Sequence, residues 1–276
     1  MERIYRIVDE KRGIAQITTD DERWYVRIMQ PPAVERETFV YLPSSSWISS
    51  YYPKGIGYMK WLAYKGWDEA EAIKEERGKH GTKVHKAAEV LLAGEDIKMD
   101  MEILNPKTGR MEALTVEEYG AVVSFTEWWK TLKNPEVIES EYTIWNEKDG
   151  YAGTLDFVLK IDGEHWLIDL KTSQSIWPSH EIQIASYKHA YQMETALYCK
   201  LAIFQAGYKR NKNNYKFTEI EDKYDLFLAA RKIWENECAT MKPFQRDYPL
   251  SVSLGVKPNR SKGAGAKKIT KTSNKK

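Results

Sequence analysis

The sequence predicts an α/β fold in which helices flank a central mixed sheet, with a helical part on the N-terminal side of that sheet. Three strand-like runs carry this prediction, and they lie at 137–144, 153–160 and 165–171. The last two are joined through Asp162-Gly163, a dipeptide typical of tight hairpin turns. A helical pattern and another apolar strand-like run follow, at 181–193 and 196–204.

The chain ahead of this sheet divides into a strand-like beginning and a helical, aromatic middle. Residues 1–28 contain short apolar runs broken by charged turns, a pattern that predicts strands. Residues 44–80 have a mainly helical pattern, and Gly81 is predicted to open a further helix. Thr115 with Glu118 resembles a capping box, which predicts the start of another helix.

The end of the chain completes the sheet and then changes composition. A short strand and a closing helix are predicted at 216–220 and 224–241. We therefore expect three regions: a small β element at 1–43, a main domain at 44–250 with a helical part (44–135) and a sheet part (136–250), and a basic tail at 251–276.

Charge is distributed unevenly between these regions. The chain has 42 basic and 40 acidic residues, a net charge of +2. Residues 251–276 contain eight basic residues and no acidic residue, so residues 1–250 have a net charge of −6. We expect a disordered tail that serves either as a solubilising end or as a loose, salt-sensitive contact for phosphate groups.

Composition excludes several classes of protein. The two cysteines, Cys199 and Cys238, are too few for a disulfide framework or a site of four thiolates, and we expect both to be small buried residues. The first residues lack the apolar core of a signal sequence, and no stretch approaches the ~20 apolar residues that cross a bilayer. The expected location is the cytoplasm, without a membrane segment.

Three charged residues lie within the apolar central strands. Asp169 and Lys171 are two positions apart, so they point to the same face of one strand. The hairpin makes the neighbouring strand adjacent, which can bring Asp156 beside Asp169. Two converging carboxylates repel unless a cation lies between them, and hard divalent cations prefer oxygen ligands. Lys171 could orient a water or stabilise charge that develops on a phosphate.

These residues also have an ordinary structural interpretation. An Asp-x-Lys pair is common, and Asp169 and Lys171 could be ordinary solvent-facing charges of a strand, with Asp156 an acid close to a turn. However, both aspartates lie inside apolar runs, 155–159 and 166–170, where an unpaired charge is costly. This context favours a metal site.

Four short motifs occur in a fixed order along the chain. They are Gly81-Thr82-Lys83-Val84-His85, Gly150 to Asp156, Leu167 to Ser173, and Gln183 with Tyr187. In this order they resemble the PD-(D/E)XK nuclease superfamily in its RecB-like exonuclease branch. The aromatic stretch from Pro53 to Gly66 is also similar to the mitochondrial genome maintenance exonuclease and its phage relatives.

The resemblance implies a restriction-endonuclease-like core and assigns roles to residues of this chain. His85, Asp156 and Asp169 would bind Mg²⁺ or Mn²⁺, and the backbone carbonyl of Leu170 would complete the set. Lys171 would position or activate the attacking water. The site would lie on the sheet, with the helical part as a wall or arch over the substrate.

Further roles follow from the same resemblance. Gln183 and Tyr187, one helical turn apart, would brace the site or contact a substrate phosphate. Glu141 would be an outer or second-metal acid, although Glu139 lies on the same predicted face and is equally available. No iron–sulfur cluster is expected, because the chain lacks the four cysteines that bind one in some relatives.

The implied activity is hydrolysis of phosphodiester bonds by a metal-dependent DNA exonuclease in DNA replication, recombination or repair. Single-stranded DNA or DNA with free ends is the favoured substrate, and a recombination or single-strand-binding protein is a compatible partner. The implied setting is a bacterial or phage-infected cytoplasm. Two alternatives stay open: a catalytically silent DNA-binding recombination accessory protein and a structure-specific endonuclease on the same site. Four aromatic residues are candidates for stacking on unpaired bases, namely Trp47, Tyr51, Tyr52 and Trp61.

Overall fold

The computed structural model describes residues 6–18, 22–29, 38–105, 109–243 and 252–254. The predicted basic tail, 251–276, therefore lies outside the described residues except for 252–254. All helices and strands formed by the described residues belong to the compact unit that ends at Pro243. Among the described residues, no helix is both long enough and apolar enough to cross a membrane.

Groups of strands and groups of helices follow one another along the described part of the chain. The helices are α1 Ser45–Ser50, α2 Ile56–Lys65, α3 Trp67–Leu92, α4 Val116–Trp129, α5 Pro178–Thr195 and α6 Tyr224–Cys238, followed by a 3-10 turn at Ala239–Met241. The strands are β1 Arg6–Asp9, β2 Ile14–Thr18, β3 Arg23–Met29, β4 Thr38–Pro43, β5 Glu102–Asn105, β6 Arg110–Ala113, β7 Glu136–Asn146, β8 Tyr151–Ile161, β9 Glu164–Lys171, β10 Lys200–Ala206 and β11 Tyr215–Ile220.

A five-stranded mixed sheet with the order β11-β10-β9-β8-β7 forms the centre. Strands β7, β8 and β9 are antiparallel, whereas β10 runs parallel to β9 and is reached through the crossover helix α5. Asp162 and Gly163 both have positive φ, 50° and 87°, as a two-residue hairpin turn requires. The predicted α/β class with a central mixed sheet is confirmed, and this sheet is consistent with the expected restriction-endonuclease-like core.

Helices cover both faces of this sheet. Helices α3 and α4 pack on one face, where the ring of Phe125 meets those of Phe157 and Phe204 at centroid distances of 5.8 and 5.6 Å. Helices α1, α5 and α6 pack on the other face through residues such as Ile184 and Phe227. Because both faces are buried, a polar side chain within these strands is placed at considerable cost unless it finds a partner.

A second, four-stranded antiparallel sheet, β1-β2-β3-β4, precedes the core elements. Trp24 attaches it, because its ring contacts those of Trp47 and Trp234 at 5.3 and 5.8 Å. Tyr51 and Tyr52 pack partly buried against the same core. Three of the four aromatic residues expected as candidates for base stacking are therefore engaged in packing.

One helix boundary was predicted wrongly, and another was predicted correctly. Gly81 does not open a helix but lies inside α3, which runs for 26 residues. The first half of α3 is mostly exposed and is stabilised by ion pairs such as Glu75–Lys79 (2.7 Å), so no apolar stripe marks its continuity. The capping box before α4 is present, since Glu118 N donates to Thr115 Oγ1 and Thr115 N donates to Glu118 Oε2.

Candidate metal centre

An imidazole and two carboxylates converge where α3 passes over strands β7 and β8. His85, Glu141 and Asp156 each offer one ligand atom, and these atoms all lie within 4.8 Å of one another. His85 Nδ1 and Asp156 Oδ1 lie 3.1 Å apart. A set of two carboxylates with one imidazole can bind a divalent cation.

Packing of α3 sets the position of His85. Val84 and Ala88 on the same helix are buried against the sheet. Lys83, adjacent in sequence, places its ammonium 2.7 Å from Glu118 of α4 and donates a hydrogen bond to the carbonyl of Ala113. Both members of this ion pair are buried, so α3 is held in register with α4 and His85 is directed towards the sheet.

Glu141 reaches the site through an unusual backbone conformation. Its φ is +51°, in the left-handed region, although it lies within strand β7. The register pairs Ser140 with Phe157 and Tyr142 with Leu155, which places Glu141 across from Asp156. A non-glycine residue in this region costs about 1–3 kcal/mol, and such strain is typical of functional sites.

Asp156 links the cluster to the next strand. Its Oδ2 accepts a hydrogen bond from the backbone N–H of Leu170 at 2.6 Å. Burial would raise the pKa of Asp156, but the nearby His85 and Lys171 outweigh it and lower the pKa below the usual range. Asp156 is therefore ionised near neutral pH.

Asp169 and Lys171 form a neighbouring ion pair on β9. Their carboxylate and ammonium lie 2.6 Å apart, on one face of the strand as their spacing predicts. Asp169 is only 1% exposed, and burial together with repulsion from Asp156 raises its pKa to about 6. Burial lowers the pKa of Lys171, but the two aspartates outweigh it and raise the pKa above the usual value. Among the described residues, Asp169 does not belong to the group of ligand atoms from His85, Glu141 and Asp156 that lie within 4.8 Å of one another.

The cluster borders a small cavity. His85, Glu141, Asp156 and Leu170 line it together with Glu89, and its volume is about 10 Å³. That is enough for one water-sized species. Glu89 lies one helical turn after His85, so the spacing His-x-x-x-Glu could have identified it in the sequence.

Negative charge accumulates around this cavity. Burial and the neighbouring Asp156 raise the pKa of Glu141 to about 7. The pKa of His85 is also raised, because attraction to Asp156 exceeds the opposing effect of burial. Protons or a cation must balance the charge of these carboxylates.

Gln183 and Tyr187 face each other along α5. The side-chain amide of Gln183 donates to the hydroxyl of Tyr187 at 2.6 Å, and Tyr187 is buried. Burial raises the pKa of Tyr187 well above its usual value, so the phenol stays neutral. Gly153 on β8 makes room for this ring, since a Cβ there would lie 2.6 Å from Tyr187 Cε1.

Replacing Gly153 by alanine should therefore destabilise the protein by about 1–3 kcal/mol, the usual cost of overpacking a core. Gly120 of α4 provides a matched control, because a Cβ there meets no atom within 4 Å. Gly120→Ala should stabilise the helix by about 0.5–1 kcal/mol. Urea unfolding of both variants checks the pair, and equal effects would contradict the close approach of Tyr187 to β8.

His180 lies next to the Lys171 side of the site, although no motif indicates it in the sequence. Burial, Lys171 and Lys54 together lower its pKa to about 3, so its imidazole is neutral. Lys54 belongs to the segment before α2, which is distant in sequence from both residues. The proximity of the two lysines to one histidine is therefore a consequence of the tertiary structure.

No protein-family model and no curated protein matches this chain. Among solved structures, the fold is similar to a crystal structure of a putative exonuclease from Eubacterium rectale, with a TM-score of 0.35 and 14% sequence identity. The match covers 64% of this chain and 80% of the other. A likeness this distant assigns no activity, so function has to be argued from the site itself.

Proposed function

We propose that this protein is a metal-dependent DNA exonuclease of the RecB-like PD-(D/E)XK branch, with single-stranded DNA as the favoured substrate. The supporting observation is the set of ligand atoms from His85, Glu141 and Asp156 within 4.8 Å, next to the ion pair of Asp169 and Lys171. Nuclease chemistry needs both parts, a site for a cation and a fixed positive charge near the phosphate.

The donor set fits Mg²⁺ or Mn²⁺. Carboxylate and carbonyl oxygens suit both ions, and the excess negative charge at Glu141 and Asp156 requires a counter-charge. His85, Glu141 and Asp156 would hold the cation, and we propose Asp169 and the carbonyl of Leu170 as further ligands. When bound, the cation would polarise the phosphate and lower the pKa of the attacking water.

The chain's own residues would position the reacting groups. Lys171 stays protonated, so its role would be to orient water and to stabilise charge on the phosphate rather than to abstract a proton. In the reaction, the water oxygen bonds to phosphorus, one ester P–O bond breaks, and the leaving oxygen receives a proton. Gln183 and Tyr187 would brace the face on which Asp169 lies.

The test is a time course on oligonucleotides labelled at the 5′ or the 3′ end, single- and double-stranded, with Mg²⁺ or Mn²⁺. We expect mononucleotides or short products from linear single strands and no cleavage of a circular single strand. Cleavage of the circle would favour the endonuclease alternative. Binding of DNA without product in either metal would favour the catalytically silent accessory protein.

Mg²⁺ should stabilise the protein more at pH 8 than at pH 5.5. The pKa of Glu141 is about 7 in the folded protein and 4.5 in its ordinary state, so the folded state binds the proton more tightly. The contribution of Glu141 to the free energy of unfolding therefore falls as pH rises from 4.5 through 7, and a cation then replaces the lost proton. At ~100 times its dissociation constant, Mg²⁺ should raise Tm by about 5–10 °C at pH 8.

The variants Glu141→Gln and Glu139→Gln form a matched pair on strand β7. Glu141→Gln should stabilise the metal-free protein at pH 8 and remove most of the shift in Tm that Mg²⁺ produces. Glu139 lies outside the ligand group formed by described residues, so Glu139→Gln should keep that shift. The reverse result in scanning calorimetry would assign the metal to Glu139 instead.

A further inference from the structure

Helix α2 and its flanking residues present apolar, aromatic and basic side chains to solvent. We define the aromatic–basic surface as Lys54, Ile56, Met59, Lys60, Tyr64 and Trp67. Tyr64 is 84% exposed and Trp67 is 66% exposed, and no residue of α2 is buried. Helix α2 therefore has half-buried residues but no fully buried one, and it exposes large apolar side chains. A contiguous patch of this kind marks an interaction site.

The charge of this segment differs from that of the chain around it. Residues 38–67 contain no acidic residue, whereas residues 1–250 have a net charge of −6. Lys54 and Lys60 form no ion pair with any described residue and are exposed. The partner of this surface should therefore carry negative charge.

Positive charge also lies against the exposed rings. The ammonium of Lys65 is 5.8 Å from the centre of the Tyr64 ring, and that of Lys74 is 5.7 Å from the Trp67 ring. Both lysines also pair with glutamates of α3. An aromatic face flanked by ammonium groups suits a nucleotide, whose base can stack while its phosphate meets the charge.

The aromatic–basic surface is connected to the candidate metal centre through α3. Trp67 is the first residue of this helix, and His85 lies on the same helix 18 positions later, about 27 Å along its axis. Gly81 of α3 lies beside Thr172, the residue after Lys171, because a Cβ at Gly81 would be 3.4 Å from Thr172 Oγ1. A ligand that follows α3 from Trp67 is thereby led towards the Asp169–Lys171 pair.

We propose that the aromatic–basic surface binds unpaired nucleobases and backbone phosphates of a single DNA strand and delivers that strand to the metal centre. This inference rests on the proposed nuclease function and deepens it. Tyr64 and Trp67 stack on bases, and Lys54 and Lys60 contact phosphates. Stacking requires a free base face, so the surface selects single strands over duplexes.

Two other classes of partner fit less well. The cores of protein–protein interfaces are depleted of lysine, whereas lysines are interspersed along this segment. A helix that lies on a membrane needs a wide and continuous apolar face. Helix α2 has only 10 residues, and its exposed side includes Lys60 between Ile56 and Tyr64.

The test measures binding of fluorescein-labelled dT20 and of a 20-base-pair duplex to the full chain in EDTA, where no hydrolysis occurs. Tyr64→Ala/Trp67→Ala should weaken dT20 binding about tenfold or more, because each base–aromatic stack contributes substantially. Duplex binding should change little. Tyr198→Ala is the matched control, since Tyr198 is 75% exposed and lies outside the segment, and it should bind dT20 as the wild type does.

A second variant tests the lysines. Lys54→Gln/Lys60→Gln should reduce the slope of log K against log[salt] for dT20 by about 1.4, because each single-strand phosphate contact contributes ~0.7. An unchanged slope would contradict the proposed contacts of Lys54 and Lys60 with the phosphates of the strand.

The outcomes separate this inference from the nuclease proposal. Equal dT20 affinity of wild type and Tyr64→Ala/Trp67→Ala would overturn the inference, as would an absence of dT20 binding by the wild type. Aromatic-dependent binding to anionic phosphatidylserine vesicles with unchanged dT20 affinity would overturn it in favour of a lipid surface. Hydrolysis of bis(p-nitrophenyl) phosphate by the wild type with Mn²⁺ tests the metal centre alone, so its absence would contradict the nuclease proposal and not the binding of a single strand.

Discussion

Replacing Asp156 by asparagine should reduce phosphodiester hydrolysis by about 10³-fold while the protein remains folded. Asp156 is the residue through which the candidate centre is connected: one carboxylate oxygen meets His85 at 3.1 Å, and the other accepts from Leu170 N at 2.6 Å. Asparagine keeps the shape and can keep one acceptor, but it removes the charge that attracts a cation. Loss of ~4 kcal/mol of transition-state stabilisation corresponds to about 10³ in rate.

The measurement is the single-turnover rate on a 5′-labelled 20-mer with Mg²⁺. Asp162→Asn is the matched control, because its carboxylate is 64% exposed in the β8–β9 turn and asparagine tolerates its positive φ. Asp162→Asn should cleave within about twofold of the wild-type rate, since a surface change away from the site leaves the chemistry untouched. If Asp156→Asn also cleaved at nearly the wild-type rate, the site would have been assigned wrongly.

Replacing Lys83 by methionine should lower the free energy of unfolding by about 3–5 kcal/mol, because it leaves the charge of Glu118 buried and unpaired. Lys83 is 8% exposed and Glu118 is 3% exposed, and their charged atoms lie 2.7 Å apart between α3 and α4. Glu118 also accepts from Thr115 N at the start of α4. The pair therefore fixes two helices at once, one of which carries His85.

Urea unfolding of three variants checks this expectation. The double variant Lys83→Met/Glu118→Gln should recover part of the loss, because no buried charge is left without a partner. Lys86→Met is the surface control: its pair with Glu89 is about one-third exposed, so it should change stability by less than about 1 kcal/mol. Equal effects of Lys83→Met and Lys86→Met would show that the buried pair is not a constraint on α3.

Local signals in the sequence were enough to predict most of the central sheet. The run from Gly153 to Lys160, the dipeptide Asp162-Gly163 and the run from His165 to Lys171 each depend on neighbouring residues alone, and the structure has the expected hairpin. The capping box before α4 was equally readable, because its two hydrogen bonds join residues three positions apart. The prediction that Gly81 opens a helix was wrong, because it relied on the local preference of glycine for helix ends. Ion pairs along α3 keep that helix continuous through Gly81.

The candidate site was only partly predictable, because it depends on contacts between residues far apart in the sequence. The same-face placement of Asp169 and Lys171 follows from strand geometry. The choice between Glu139 and Glu141 does not, because it depends on a left-handed residue and a register shift between Val137 and Glu139 that no local pattern indicates. The sequence also could not separate the base-stacking candidates from packing residues, since the partial burial of Trp47 depends on contacts with Trp24 and Trp234.

The sequence by itself determined the α/β class, the strands that carry Asp156, Asp169 and Lys171, and the helix that carries His85. These follow from side-chain periodicity and turn chemistry, which act over a few residues. Only the tertiary structure decided that His85, Glu141 and Asp156 share one cavity and that Asp169 pairs with Lys171. Such proximity arises from packing between segments far apart in the chain, and burial then sets the charge of each group.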